Sequence, residues 1–458
     1  MNRSFGSICC VEYKPFSAKR RDNPGVYKNR RRTEYRLKKL VWMGSLFYLL
    51  MGFIKVTVAS IITVLLPLYD RVYTDAGALI FIEFGASIFG MLIQPWLANR
   101  MSKKTMLHIG AWGVAASYLL IAFLPPWPLL LAGFALAGFL GGIIESVIAA
   151  VILDGLQSNA AIAMSRLEVA FGVGSLILPL TIGMLIVSGL WNYALFGIAA
   201  YCVFLSLFVR FTRFGDAEPL FVPAHRAEVP SAVPAGAASS GPVGAVVAAA
   251  ATHHPSAGKK RLLRTSGALM LPAFILLFFF YGATDIGLVN YLPSLMLETG
   301  MADAATAPIS VTVFWAAMIA GRMFAGYEAE KLGYRKYLFI HWGGMIVLLS
   351  LFALNRSAAV GYVLIVLLGL TLSGLYVVTL VYAKTLMPRN VARNTSILMA
   401  GCAVGGGLFS VTAGRMLDAL PPSYVQWTMA GIALLSLLTY VVYAKEQRSE
   451  RASDMVRA

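Results

Sequence analysis

Long apolar runs separated by short polar segments dominate the pattern along the chain. Twelve runs reach the roughly 20 residues that a helix needs to cross a hydrocarbon layer about 30 Å thick. They fall at residues 41–67, 77–98, 105–124, 128–155, 164–189, 190–211, 267–295, 307–330, 338–354, 358–386, 397–419 and 426–444. The pattern predicts an all-α membrane protein with twelve transmembrane helices.

Basic residues between the runs are distributed unevenly, and this predicts an orientation. The first 40 residues carry twelve Lys or Arg, and the loops on the same side hold Arg100, Lys103, Lys104, Lys331, Arg335, Lys336, Lys384, Arg389 and Arg393. The opposite loops carry only Arg71 and Arg356, beside Asp70, Asp75, Glu298 and Asp303. Because positively charged loops stay in the cytosol, both termini are expected to be cytosolic, in a multi-pass protein of the cell membrane.

One long break in the pattern divides the chain into two sets of six runs. Residues 212–266 are rich in Ala, Gly, Pro and Ser and predict a flexible cytosolic linker. His253 and His254 within it are interpreted as solvated residues, since two adjacent histidines lack a full ligand set. The predicted organisation is a basic cytosolic tail (1–40), an amino-terminal six-helix bundle (41–211), the linker (212–266), a carboxyl-terminal six-helix bundle (267–444) and a cytosolic tail (445–458).

Composition and charge narrow the class of protein further. The chain is 59% hydrophobic and 13% charged, against about half and a quarter in soluble domains. A net charge of +17 could indicate nucleic-acid binding, but its basic residues flank the apolar runs. The lipid bilayer is therefore the expected partner, no nucleic acid is expected, and the protein is expected to be monomeric. The sequence shows no metal-ligand spacing, Walker loop or nucleophile elbow, so neither an enzyme nor a metal or cofactor is predicted.

The two sets of runs match each other at one fixed offset, which we call the repeat register. It pairs Gly90 with Gly321, Asn99 with Glu330, Lys104 with Arg335, Leu107 with Leu338, Gly174 with Gly405, and Gly183 with Gly414. A register that persists from the second run to the fifth indicates two duplicated six-helix units. Such units, related by an axis along the membrane normal, rock about a central site in alternating-access transporters.

The segment GYEAEKLGYRK at 326–336 resembles the loop signature of the major facilitator proteins. The resemblance implies a major facilitator fold with gating loops, formed by Gly326, Glu330, Arg335, Arg322, Lys103 and Lys104. The first-half copy departs from the signature, because Pro95, Asn99 and Ser102 occupy its glycine, acid and second glycine positions.

Four further segments resemble the fucose–galactose–glucose:proton symporter family, closest to its bacterial glucose/mannose:proton symporters. They are QSNAAIAMSRLEVAFGVGSLILPL at 157–180, FFFYGATDIGLVNYLPSLM at 278–296, SVTVFWAAMIAGRMFAGY at 310–327 and GLTLSGLY at 369–376. The resemblance implies a secondary transporter that takes up a hexose or similar small polar solute together with a proton.

Ionisable residues inside the apolar runs mark the expected pathway, because a charge in hydrocarbon costs at least a few kcal/mol. Glu145, with Lys55, is the expected proton-coupling pair; alternatively, the two form a static ion pair. The resemblance implies that Asp285 and Asn290 bind substrate. Glu83 is a further candidate polar group for substrate binding, and Trp315 is a candidate ring platform; alternatively, Trp315 serves helix packing. Asp285 and Asn290 are five positions apart, roughly 140° around a helix, so they cannot share a narrow stripe.

Other charges and other functions remain as alternatives. Asp154, Arg166 and Glu168 are interpreted as a latch between helices, and Arg415 with Asp418 as a local pair three residues apart. A drug:proton antiporter is the second hypothesis, although Leu178 replaces the glycine that the antiporter signature has before Pro179. A membrane sensor without transport activity is a third.

Overall fold

The computed structural model describes residues 24–156, 160–212, 214–222, 267–387 and 391–457, and these form helices joined by short turns. Twelve helical segments are long and apolar enough to cross a membrane, which confirms the predicted count. We number them spans 1 to 12. Spans 1 to 6 are the helices Pro24–Leu68, Tyr73–Ala98, Lys103–Ala122, Trp127–Leu156, Ala160–Val187 and Tyr193–Phe211. Spans 7 to 9 are Gly267–Glu298, Ile309–Leu332 and Tyr334–Leu354; span 10 is Ala358–Leu372 with Leu375–Leu386; spans 11 and 12 are Val391–Ala419 and Ser423–Arg457.

The two halves repeat the same helix packing. Span 1 packs on span 5 as span 7 packs on span 11, span 2 on span 4 as span 8 on span 10, and span 3 on span 6 as span 9 on span 12. Gly174 lies against the carbonyl of Leu49, and its counterpart Gly405 lies against the carbonyl of Phe279. Only glycine allows backbones to approach so closely. The duplication inferred from the repeat register is therefore present in the packing.

The two ends of the bundle differ in charge, and we name them by it. The basic end holds the turns 99–102 and 333, and the acidic end holds the turns 69–72, 188–192, 299–308 and 420–422. Span 2 packs on span 11, span 5 on span 8, and span 1 on span 7, so these pairs join the halves. A substituent on Gly77 would meet Ser410, and one on Gly183 would meet Ala305. These contacts lie towards the acidic end, where the halves are closed against each other.

The predicted linker begins with an ordered segment rather than a flexible one. Residues Gly215–Phe221 form a 3-10 helix, and the buried rings of Phe214 and Phe221 stack with centroids 4.9 Å apart. The apolar Phe214 and Phe221 explain the difference, because burying two aromatic rings offsets the entropy of ordering a short turn. Residues 223–266, with His253 and His254, lie outside the described part of the chain, as do residues 1–23 of the predicted tail.

Span 10 is interrupted near the middle of its length. Its two helices end and begin at Leu372 and Leu375, both fully buried. A side chain on Gly374 would collide with the hydroxyl of Tyr337. Ser373 donates its hydroxyl to the carbonyl of Leu370 at 2.7 Å, which satisfies one backbone group released by the break.

Candidate functional site, a cavity between the halves

A cavity lies between the two halves in the middle of the spans. The space open to the centre of a water-sized sphere is about 160 Å³. Since one water needs about 10–15 Å³ by this measure, the cavity has room for roughly ten waters or a small solute. Its wall is formed by Met51, Ile54, Lys55, Glu83, Phe84, Ser87, Ile88, Met91, Gly138, Gly141, Glu145 and Phe171 from the amino half. The carboxyl half contributes Tyr281, Asp285, Ile286, Val289, Trp315, Arg322, Tyr376, Met399, Cys402 and Ala403.

Glycines place the carboxylates of the amino half on this wall. Gly138 of span 4 lies against the carbonyl of Glu83, and Gly142 lies against the carbonyl of Ser87, so spans 2 and 4 touch backbone to backbone. Ser146, next to Glu145, donates to the side-chain oxygen of Gln94 at 3.1 Å and ties the same two spans together. The close approach fixes Glu83 and Glu145 on adjacent helices of one wall.

Several polar atoms on the wall have no hydrogen-bond partner among the described residues. They are Oε1 of Glu83, Oδ1 of Asp285, Nε1 of Trp315 and Nε of Arg322. Glu83 is 6% exposed and Trp315 is 4% exposed. A buried polar group without a partner costs about 1–3 kcal/mol. Four such atoms around one cavity indicate a surface completed by water or by a bound polar solute.

Lys55 lies between an aromatic ring and the acidic residues of the cavity. Its Nζ atom is 3.5 Å from the centroid of the Phe84 ring, a cation–π contact. The charges of Asp285, Glu145 and Glu83 all act on it. Lys55 therefore interacts electrostatically with carboxylates of both halves.

Arg322 lies on the cavity wall, inside span 8, rather than in the loop whose signature it was grouped with. Its guanidinium Nη1 is 3.4 Å from Oε2 of Glu168, so the pair joins span 8 to span 5. Glu168 therefore contacts the other half of the molecule rather than Asp154 or Arg166. The sequence contained the signal, since Arg322 precedes the end of the predicted run 307–330 by eight residues. Eight residues correspond to about 12 Å of helix, which is too deep for a loop.

Asn290 is not part of the cavity wall, which corrects the second substrate-binding assignment. Its side chain is 1% exposed and donates to the carbonyl of Ile286 within its own helix at 2.8 Å. Asp285 does line the cavity. Asp285 and Asn290 lie roughly 140° apart around the helix. Because Asp285 faces the cavity, Asn290 is buried against neighbouring helices.

The remaining loop-signature residues lie at the basic end, away from the cavity. Lys103 pairs with Asp154 at 2.8 Å, and Lys104 lies 3.8 Å from Glu218. Arg335 donates from Nε to the hydroxyl of Tyr382 at 2.9 Å. Gly326 and Glu330 are exposed on the surface of span 8. Sequence reasoning missed the cavity aromatics Phe84, Phe171, Tyr281 and Tyr376, because ring side chains are also common in helix packing.

Twelve spans in two repeated bundles, around a central cavity with charged residues on its wall, define a secondary transporter. Residues 44–353 and 301–455 match the Major Facilitator Superfamily. The chain belongs to this superfamily, and it is a transporter rather than an enzyme.

Known proteins with similar sequences and structures are also transporters. The chain is 25% identical over 380 residues to the glucose/mannose transporter GlcP of Bacillus subtilis (strain 168), covering 82% of this chain and 87% of that protein. The fold resembles the nucleoside transporter NupG, with a TM-score of 0.63, 12% identity, and coverage of 89% and 98%. It also resembles a bacterial homolog of the human lysosomal transporter Spinster in an inward-facing and occupied conformation. That match has a TM-score of 0.68, 12% identity, and coverage of 89% and 97%.

Proposed function

We propose that this protein takes up a hexose, or a similar small uncharged polar solute, together with a proton by alternating access. The cavity carries the proposal, because carboxylate, indole and guanidinium atoms that lack partners among the described residues surround one space between the halves. Sugar hydroxyls are recognised by directional donors and acceptors of this kind beside a ring. The similarity to a glucose/mannose transporter supports the same solute class.

The charges on the wall support a proton as the coupling ion. Glu83, Glu145 and Asp285 line the cavity together with Lys55, while Arg322 pairs with Glu168. When all six are ionised, the carboxylates outnumber the cations by two, and each bound proton reduces this excess by one. A less charged set of side chains around an uncharged solute costs less to enclose. Proton and solute therefore favour the same closed state, which is the requirement for symport.

Glu145 is the proposed proton carrier. It lies on span 4 beside the cavity, and its counterpart in the repeat register, Tyr376, lies on the opposite wall. A phenol does not exchange its proton near neutral pH as a carboxyl can, so the role is confined to the amino half. Asp285, Glu83 and Trp315 are the proposed substrate-binding groups, and Arg322 joins them.

Uptake of labelled hexoses into proteoliposomes tests the proposal directly. An imposed inward proton gradient should drive accumulation of at least one of glucose, mannose, galactose or fucose above its external concentration. A protonophore should abolish the accumulation, and an inward Na⁺ gradient alone should not produce it. Accumulation driven only by Na⁺ would contradict the proposal that the coupling ion is a proton. Transport of lipophilic cations with no competition from hexoses would instead identify a drug:proton antiporter.

A further inference from the structure

The two interfaces at the acidic end have matching positions in the repeat. Gly414 of span 11 lies against the carbonyl of Tyr73 at the start of span 2, and Gly183 of span 5 lies against the carbonyl of Ala305 before span 8. The repeat register relates Gly183 to Gly414, and it places Ala305 one residue from the counterpart of Tyr73. The same kind of glycine contact thus closes both interfaces.

The segments entering spans 2 and 8 are capped in different ways. Before span 8, the Asp303 carboxylate accepts from the amides of Ala305 at 3.1 Å and Thr306 at 2.7 Å, within its own loop. The bond from the Thr306 hydroxyl, followed by these backbone bonds, lowers the pKa of Asp303. The counterpart of Asp303 is Val72, which has no side-chain oxygen and precedes the first residue of span 2.

Asp418 supplies the missing cap from the other half of the molecule. Its carboxylate accepts from the backbone amides of Tyr73 at 2.7 Å and Thr74 at 2.8 Å, and from the Thr74 hydroxyl at 2.5 Å. These are amides of the first turn of span 2, where a helix leaves its donors unsatisfied and favours a negative charge. The local pairing of Asp418 with Arg415 expected from their spacing is replaced by this contact.

The cap is reinforced by a second bond between the halves. The hydroxyl of Tyr73 donates to a carboxylate oxygen of Glu298, at the end of span 7, at 2.6 Å. Tyr73 therefore joins spans 2, 7 and 11 at one point. The other interface lacks this device, because the counterpart of Asp418 there is Val187, which has no side-chain acceptor and is 79% exposed.

We infer that Asp418 is a positioning residue that holds the acidic end closed, acting as a helix cap between the two halves. Opening of this end separates span 2 from span 11 and leaves the first amides of span 2 without their acceptor. The cap therefore stabilises one of the two conformations that alternating access requires. The inference rests on the alternating access of the proposed function, but not on the solute or the coupling ion.

Thiol labelling at the cavity wall tests the inference without measuring transport. A cysteine at Val289, in a chain whose native cysteines are replaced by serine, reports exposure of the cavity to an impermeant maleimide added at the acidic end. Loss of a helix cap changes an equilibrium about fivefold. Asp418→Ala should therefore raise the labelling rate about fivefold, and Asp418→Asn should raise it less.

Two matched variants test whether Asp418 specifically holds the acidic end closed or only contributes to general stability. Asp75→Asn removes a carboxylate of the same helix turn whose contacts stay within the amino half: Arg71 at 3.9 Å and the backbone amide of Val72 at 3.5 Å. Asp303→Asn weakens the cap that lies within one loop. Both variants should label as slowly as the parent. Equal acceleration in either one would reduce Asp418 to an ordinary stabilising residue.

A double variant distinguishes two roles of Asp418: capping span 2 and joining the two halves. Val72→Asp gives span 2 a cap of its own, as Asp303 gives the segment before span 8. Combined with Asp418→Ala, it should restore thermal stability while labelling stays fast, because the tie to span 11 is still missing. Slow labelling in the double variant, or no change with Asp418→Ala alone, would overturn the inference.

Discussion

The two halves of the molecule present matching positions to the cavity but fill them with different chemistry. Six pairs related by the repeat register line the wall: Ile54 and Asp285, Lys55 and Ile286, Phe84 and Trp315, Met91 and Arg322, Glu145 and Tyr376, and Phe171 and Cys402. Wherever one member of a pair is an acid, lysine or arginine, the other is not. Position therefore follows from the duplicated fold, and the chemistry of each position is specific to one half.

Only one of the six pairs keeps the same character in both halves. Phe84 and Trp315 are aromatic, and each has a cation beside it: Lys55 lies 3.5 Å from the centroid of the first ring, and Arg322 lies 5.7 Å from that of the second. The shared element is a ring with a positive charge next to it. The acidic residues, by contrast, differ completely between the halves, so they are the groups that should distinguish proton coupling from solute binding.

The largest effect is expected from removing the acid of the Glu145–Tyr376 pair. Glu145→Gln should abolish proton-driven accumulation, because an amide cannot carry the proton, while exchange of labelled for unlabelled solute persists. Tyr376→Phe is the matched control and should retain accumulation. Both are measured in proteoliposomes with and without a pH gradient. Unchanged accumulation in Glu145→Gln would leave this carboxylate with a structural role.

A smaller effect is expected at the acid of the carboxyl half. Asp285→Asn removes the negative charge and replaces one acceptor oxygen with a donor, at a cost of about 1–3 kcal/mol. This corresponds to a roughly 5- to 150-fold weaker apparent affinity for the solute. Competition binding at constant protein abundance measures it. Asn290→Ala, whose side chain bonds within its own helix, should leave the affinity unchanged; the reverse order of effects would exclude Asp285 as a binding group.

The smallest effect on transport is expected from Ala variants of the duplicated glycines, Gly174 and Gly405. The effect should be similar in both halves. A methyl group at Gly174 or Gly405 would collide with a backbone carbonyl of the neighbouring span. Overpacking of this kind costs about 1–3 kcal/mol, so each Gly→Ala variant should melt at a lower temperature than the parent. Gly431→Ala is the control, because a methyl group there meets open space. A marked difference between the two duplicated sites would show that the halves differ in rigidity.

The sequence predicts the number of spans well, because the bilayer requires long apolar helices and few other structures meet that requirement. The repeat register also predicts the repeated packing. Five of the six residues expected in proton coupling or substrate binding line the cavity: Lys55, Glu83, Glu145, Asp285 and Trp315. Intramembrane charge was an informative signal because burying it is costly.

The sequence could not predict which of Asp285 and Asn290 faces the cavity, nor which residues meet from distant parts of the chain. Asn290 is buried on another face of span 7. An error of one residue in the position of a helix changes the direction in which a side chain points by about 100°. Asp418 binds amides that lie 344 and 345 positions earlier in the chain. No local spacing indicates such a contact, whereas the pair Arg415–Asp418 follows from spacing alone and is not the contact that forms.

The interruption of span 10 has a mechanical consequence for the carboxyl half. Residues of a continuous helix move together, since each amide is bonded to the preceding turn. Between Leu372 and Leu375 this ladder is broken, and Tyr376 stands just beyond the break on the cavity wall. Its counterpart Glu145 lies within an uninterrupted helix. We therefore expect the wall of the carboxyl half to bend more easily at Tyr376 than the wall that carries Glu145.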